Sequence, residues 1–288
     1  MEVSVSNILV LRTQFSDWAP AIERAASRGN GRIVVRDAAD PDTTIAYMKR
    51  HNLTAVTPTT YPQMKALAAA YGKFARAGIK VVSSPDASHV ETFDDKARFV
   101  RFMLDQGLEE LIPEVYVVGG GAGPQSGIEE LAEIQYPCIA KPGVSFGGQG
   151  ASVHLDARSP VNLARFKPGE SFVVQRFVPG GTEFGGHFYL ESGDIKRCVY
   201  YEGRRDPSQH IQRGRLGGNA YTKHARIPEH DAFADLFARL DYTGYACADF
   251  KVEDGIPRIF EINPRLGGTL VHDTEDLPAF LLAPLDDA

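Results

Sequence analysis

The sequence predicts an α/β protein that opens with a helix-covered parallel sheet and turns to an antiparallel, α+β arrangement in its C-terminal part. Three observations carry this. From residue 7 to residue 82, short apolar runs alternate with amphipathic stretches, the pattern of a parallel sheet covered on both faces. From residue 136 onward, apolar runs face each other across short glycine-containing turns. Near the end, Cys247–Gly268 reads as a hairpin with one apolar face and one face of carboxylates.

The composition sets the bounds. The chain has 288 residues, 43% hydrophobic and 24% charged, enough for two domains or one with subdomains. A net charge of -6 argues against a general nucleic-acid or anionic-membrane binder. No apolar run reaches the length of a membrane span, and the Met-Glu-Val-Ser start lacks a basic, apolar leader. Cys138, Cys198 and Cys247 are odd in number and widely spaced, which suits a reducing cytoplasm and fits no zinc pattern.

Taken in order, residues 7–11 predict a strand and residues 18–28 a helix stopped at Gly29. Residues 33–35 predict a second strand and 42–51 a second helix. Residues 53–56 predict a third strand, 62–77 a third helix with proline in its first turn, and 80–82 a fourth strand. Thr57-Pro58-Thr59-Thr60 follows the third strand as a turn at the edge where such sheets bind ligands. Residues 92–107 predict one helix with Thr92 as N-cap and Lys96 in its first turn, the wrong end for a cation if only the helix dipole mattered. Gly119–Gly127 lacks both the P-loop ending and the dinucleotide fingerprint and reads as a connector; Ser126 and Glu129 then cap a helix over 127–134.

Residues 136–142 predict a strand ending near Lys141, and 151–155 another. The glycine-rich turn Gly143–Gly150 between them, with Gly147 and Gly148, can fold over a triphosphate. Residues 184–190 and 195–201 predict a hairpin turning at Ser192-Gly193-Asp194. Arg204, Arg205, Arg213 and Arg215 then fall in a stretch able to clamp an anion, and residues 228–240 predict a helix behind the last hairpin. In that hairpin a three-residue loop Glu253-Asp254-Gly255 would pair Val252 with Ile256, Asp249 with Ile259 and Cys247 with Glu261. Asp249, Glu261 and Asn263 would share one face, an oxygen-rich set suited to Mg²⁺; Phe250, Phe260 and Ile262 would face the core.

The run Glu261-Ile-Asn263-Pro-Arg265-Leu-Gly267-Gly268, with Asp249 before it, resembles the last core strands of the ATP-grasp superfamily. The resemblance covers roughly residues 1–275. It implies an ATP-grasp fold: an N-terminal α/β domain (1–90), a central subdomain with a glycine-rich lid (91–170) and an antiparallel C-terminal subdomain (171–288). It further implies that Asp249, Glu261 and Asn263 hold the magnesium ions on ATP, and that Lys96 and Lys141 contact phosphates. The stretch Gln175-Arg176-Phe177-Val178 matches the adenine hinge, with Gln175 standing where an acidic residue is common, and Glu183 matches the ribose-binding residue. Arg265 would neutralise charge on the transferred group, and Gly267 and Gly268 would meet the substrate. Arg215 is a substrate candidate because the Gly217-Gly218-Asn219 after it resembles a family loop. The implied activity is a carboxylate–amine ligase that forms an acyl phosphate and ADP, with ATP and Mg²⁺ as cofactors. Ring closure within one molecule, or a small-molecule kinase, would use the same site. The expected partners are a small, amino-acid-like carboxylate and a nucleophile, with no nucleic acid or membrane; a homodimer stays open, and the expected compartment is the cytoplasm.

Overall fold

The computed structural model describes residues 7–16, 18–29, 31–120, 127–145, 147–204 and 221–286. The apolar run after Asn7 becomes strand β1 (Ile8–Leu11), buried along its whole length as befits a strand covered on both faces. After it come α1 (Ala19–Arg28), β2 (Ile33–Arg36), α2 (Pro41–Arg50), β3 (Ala55–Thr57), α3 (Tyr61–Arg76) and β4 (Lys80–Val81). The strands pair in parallel in the order β2-β1-β3-β4. Thr57–Thr60 is a turn with a structural task. The Thr59 hydroxyl donates to the Leu11 carbonyl (3.0 Å) and the Gln63 amide to the Arg12 carbonyl (2.9 Å), bracing the exit of β1.

Residues 87–105 differ from the expected single helix capped at Thr92. Two helices, α4 (Ala87–Asp94) and α5 (Lys96–Asp105), meet at Asp95. Its extended backbone breaks the run, and its Oδ1 accepts from the N–H groups of Ala97 (2.8 Å) and Arg98 (3.3 Å). A carboxylate that satisfies two otherwise orphaned N–H groups is the stronger cap, so Thr92 is left inside α4.

A second sheet holds β5 (Val115–Gly119), β6 (Ile128–Glu130), β7 (Cys138–Pro142), β8 (Ser152–His154) and β9 (Phe172–Arg176) in the antiparallel order β6-β5-β9-β7-β8. The helix expected over 127–134 is instead the edge strand β6, because pairing of Glu129 and Glu130 with β5 overrides local helix preference; the expected Ser126 cap lies outside the described residues. Since β9 belongs here, this sheet runs past residue 170 to Arg176.

The third sheet, also antiparallel, contains β10 (Thr182–Glu191), β11 (Asp194–Arg204), β12 (Tyr221–His224), β13 (Gly244–Glu253) and β14 (Ile256–Asn263) in the order β12-β11-β10-β13-β14. The β10–β11 turn is Ser192-Gly193 alone, both residues at positive φ, with Asp194 already paired to Glu191. Helix α6 (His230–Leu240) lays Phe233 and Phe237 against Phe188, and Phe233 reaches Phe250. The closing helices α7 (Gly268–Val271) and α8 (Asp276–Leu282) pack Leu270, Leu277 and Phe280 into one cluster with Trp18 and Ile22 at the start of the chain.

The β13–β14 register also differs from expectation. Glu253 pairs with Ile256, so the loop is the two-residue Asp254-Gly255, both left-handed, and Val252 faces Pro257. A bulge at Phe260 then shifts the ladder once more, so Asp249 lies opposite Glu261 and Cys247 opposite Asn263. Two one-residue shifts in the same sense restore parity, which keeps Asp249, Glu261 and Asn263 on one face. Phe260 is the exception. As the bulged residue it leaves the core, which keeps Phe250, Ile259 and Ile262, and turns its ring toward Lys141, 5.7 Å from the ammonium.

Candidate active site

The end of β7, the start of β9 and the start of α5 are tied together around Gly143. The Gly143 N–H donates to the Ser171 carbonyl (2.6 Å), its carbonyl accepts from the Lys96 N–H (2.9 Å), and Ser171 Oγ donates to Asp95 Oδ2 (2.7 Å). A side chain at Gly143 would overlap Ser171 and Asp95. These bonds fix the start of α5 beside the end of β7 and bring Lys96 and Lys141 into one cleft.

Lys96 and Lys141 are each only 8% exposed. Lys96 Nζ lies 2.6 Å from Glu261 Oε2 and 3.5 Å from Ser145 Oγ. Its place in the first helical turn is thus explained by a carboxylate on another sheet. Lys141 Nζ lies 3.5 Å from the Phe260 carbonyl. Burial, and secondarily the neighbouring Lys96 charge, push the Lys141 ammonium down to about 8, with Glu261 and Glu183 opposing them. For Glu261, burial alone would raise the carboxyl, but Lys96 and Lys141 overcome it and hold the group well below its usual range.

Asp249 and Glu261 face each other across the ladder, within hydrogen-bonding reach. Asn263 Nδ2 lies 3.4 Å from Glu261 Oε1, and its Oδ1 is 3.3 Å from an Arg265 nitrogen. Two adjacent carboxylates repel unless a proton or cation lies between them. Two carboxylates and an amide oxygen form the hard donor set Mg²⁺ takes when substrate phosphates and water complete its shell, so the residues present fit that ion. Among the described residues no group of three or more His, Cys, Asp or Glu side chains could hold a metal.

At the other end of the cleft, Gln175 is 1% exposed, and neither its amide nitrogen nor its oxygen has a partner among the described residues. The side chain of Arg176 turns away to Glu253 (2.5 and 3.0 Å). Lys251, which nothing in the sequence singled out, is 6% exposed and donates to the carbonyls of Val178 (2.9 Å) and Gly180 (2.7 Å), beneath the Phe177 ring. Glu183 lies on β10 opposite Gly203. Gly147 and Gly148 both have positive φ, conformations that favour glycine in the loop after β7.

Beyond Asn263, Pro264 ends β14 and the chain turns, the Arg265 N–H donating to the Asn263 carbonyl (2.8 Å). The Arg265 guanidinium stays on the carboxylate side and lies 5.3 Å from the Trp18 ring and 5.9 Å from Phe15. Trp18 also lies 4.0 Å from where a Gly268 side chain would begin. Asp94, at the end of α4, is within electrostatic reach of Arg265 and Lys96; burial raises its carboxyl above the usual range and those cations partly offset it. The Asp94 carboxylate makes no ion pair among the described residues. Sequence reading missed Phe15, Trp18 and Asp94, which lie far from the motif in sequence and reach it only through tertiary packing. Arg205, Arg213, Arg215 and Gly217–Asn219 lie outside the described residues.

A family model for the ATP-grasp domain matches residues 94–269, from Asp94 to Thr269. The chain belongs to the ATP-grasp family. The carbamoyl phosphate synthase large chain of Methanobrevibacter smithii is 26% identical over 237 residues, covering 78% of this ATP-grasp chain and 22% of the relative. The C-terminal section of that enzyme's large chain from Methanopyrus kandleri is 26% identical over 113 residues, 38% of this chain and 20% of the relative. This chain therefore spans about a fifth of the length of the relatives it matches. In fold it is similar to D-alanine–D-alanine ligase from Bacillus anthracis, with a TM-score of 0.58 at 13% identity over 98% of this chain and 95% of that one. It is likewise similar to L-amino acid ligase from Bacillus licheniformis, with a TM-score of 0.57 at 16% identity over 93% and 69% of the two chains. The ATP-grasp fold, with its parallel N-terminal sheet and antiparallel later sheets, is the one its sequence predicted. Among the described residues, no helix is long and apolar enough to cross a membrane.

Proposed function

We propose that this chain is an ATP-dependent ligase. It activates a small, amino-acid-like carboxylate as an acyl phosphate, releases ADP, and joins the acyl group to an amine. The observation that carries the reading is the charge arrangement of the cleft. Two lysines, each 8% exposed, stand beside two carboxylates in mutual reach, a combination that a polyphosphate and a divalent cation would complete together. The unpartnered amide of Gln175 offers one donor and one acceptor, which match the N6 amine and N7 of adenine. The acid would lie between Arg265, Gly267 and Gly268 on one side and Phe15 and Trp18 on the other, with Asp94 able to take a cationic amine.

In this reading a carboxylate oxygen attacks the γ-phosphorus, the bond to the bridging oxygen breaks, and ADP leaves with the electron pair. The amine then adds to the acyl carbon and loses a proton, and the carbon–oxygen bond to phosphate breaks. Lys96 and Lys141 neutralise phosphate oxygens, and Arg265 neutralises charge on the group being transferred. Asp249, Glu261 and Asn263 would hold Mg²⁺, which when bound supplies further charge neutralisation at the phosphates. The D-alanine and L-amino acid ligases of similar fold support a small acid and an amine as substrates. The test is a screen of amino acids and small carboxylates, singly and in pairs, for ADP release with products identified by mass spectrometry. Release that needs two substrates and yields their condensation product is expected. Release with one stable phosphorylated product would assign a kinase, and a cyclised product the ring-closing ligase.

A further inference from the structure

His187 lies on β10 opposite Cys247, two residues from Gly185, which faces Asp249. It is 1% exposed, with Nε2 2.6 Å from Thr269 Oγ1 and its ring edge against Tyr201 at 5.4 Å. Its Nδ1 has no hydrogen-bond partner among the described residues. A side chain on Gly267 would overlap both the His187 ring and the Cys247 thiol, so the substrate-side turn rests directly on this imidazole. Beside it, Gly185 carries no side chain to come between Thr269, His187 and Asp249, and the room it leaves is that of a single atom in ordinary contact with all three. The point where its side chain would begin is 3.4 Å from Thr269 Oγ1, 3.7 Å from His187 Nε2 and 3.9 Å from Asp249 Oδ1.

A buried imidazole with one unpartnered nitrogen is a poor choice for packing alone, because leucine would fill the space without burying an unpartnered ring nitrogen. Burial holds the ring neutral, its pKa driven down to about 3 with Asp273 opposing only weakly, so one nitrogen carries the hydrogen. Orphaned buried N–H donors are rarer than orphaned acceptors. The hydrogen therefore belongs on Nε2, where it is donated to Thr269 Oγ1, and the bare nitrogen is Nδ1. With that lone pair engaged, the Thr269 hydroxyl proton is free to point away from His187, on the side that bare Gly185 leaves uncovered.

We propose that His187 is a positioning residue that fixes the Thr269 hydroxyl as a hydrogen-bond donor to the oxygen of the reacting acyl group. The proposal rests on the ligase reading for its chemistry. Neither residue was singled out by the sequence motif, and the two are joined only by the pairing of β10 with β13 and the turn after β14.

Two measurements test it. Nitrogen-15 histidine spectra of the intact protein should show His187 protonated at Nε2 and bare at Nδ1; the opposite tautomer would overturn the proposal. That result does not depend on turnover, so a wild-type protein that releases no ADP with any acid would sink the ligase reading separately. The second measurement is kinetic. His187→Leu should melt no lower than wild type and keep its KM for ATP within about twofold, yet lose on the order of a hundredfold in kcat, the cost of one misplaced donor. His187→Gln, whose amide N–H can stand where Nε2–H stood, should recover most of the loss. Thr269→Val should match His187→Leu, and the double variant should be no slower than either alone. A His187→Leu variant with normal kcat, a His187→Gln variant as slow as His187→Leu, or losses that multiply would each overturn the proposal.

Discussion

Lys141 gives the most quantitative test of the cleft. Its ammonium is pushed down to about 8 from the ordinary 10.5 because it is buried beside Lys96. The charged form is the disfavoured one, so phosphates placed against it must raise the pKa again, and nucleotide binding takes up a proton. With the free group at about 8, affinity should be nearly flat below pH 7 and about tenfold weaker at pH 9 than at pH 7. At pH 8 about half a proton should be absorbed per nucleotide bound. Calorimetric titration of ATP in EDTA, in two buffers of different ionisation heat, measures both without metal. Lys141→Arg stays charged and should bind without the pH dependence. The same shift sets a stability effect of defined sign. The unfolded chain binds more protons between about pH 8 and 10.5, so stability rises through that window and the penalty is full below it. Lys141→Met should therefore stabilise the protein at pH 7 by up to about 3 kcal/mol while weakening nucleotide binding. A flat affinity profile from pH 7 to 9 with no proton uptake would refute the reasoning.

Three further outcomes follow from the site. Glu261→Gln removes a proposed metal ligand and the partner of Lys96 2.6 Å away, so metal-dependent ADP release should vanish while circular dichroism stays native; near-normal turnover would remove Glu261 from the proposed metal site. Lys251→Met orphans the carbonyls of Val178 and Gly180, and loss of two charge-assisted bonds worth about 1.5–3 kcal/mol each should raise the KM for ATP at least about tenfold, with kcat kept at saturating nucleotide. Arg265→Ala should keep ATP affinity but lose on the order of a hundredfold in kcat, with Arg265→Lys recovering only part; lost ATP binding with intact kcat would move Arg265 to the nucleotide site.

Periodicity and turn residues made the parallel N-terminal sheet readable, since each strand there is a short apolar run preceded or followed by a helix that carries proline in its first turn. They failed where a long-range partner decided the outcome. Residues 128–130 became a strand because β5 offered an edge, and Asp95 displaced Thr92 as cap because Ser171, just before β9, holds its carboxylate in place. The shared face of Asp249, Glu261 and Asn263 was legible from alternation alone, although the exact pairing was not; a bulge is invisible to a period-two pattern, and here it also carried Phe260 out of the core. The family resemblance pointed to Lys96 and Lys141, and the structure brings both beside Glu261. Lys251, His187, Asp94, Phe15 and Trp18 were not legible, because each reaches its neighbours only when separate elements meet.

The central claim is that a substrate carboxylate takes the γ-phosphoryl group at the Lys96–Lys141–Glu261 cluster. Oxygen-18 transfer tests it most directly. Once the acid is identified by ADP release, it is supplied with both carboxylate oxygens labelled, and the phosphate released on ligation is analysed by mass spectrometry. An acyl phosphate leaves one labelled oxygen in every phosphate formed. Phosphate that carries no label, with product still formed, would contradict carboxylate activation and the assignment of the site built on it.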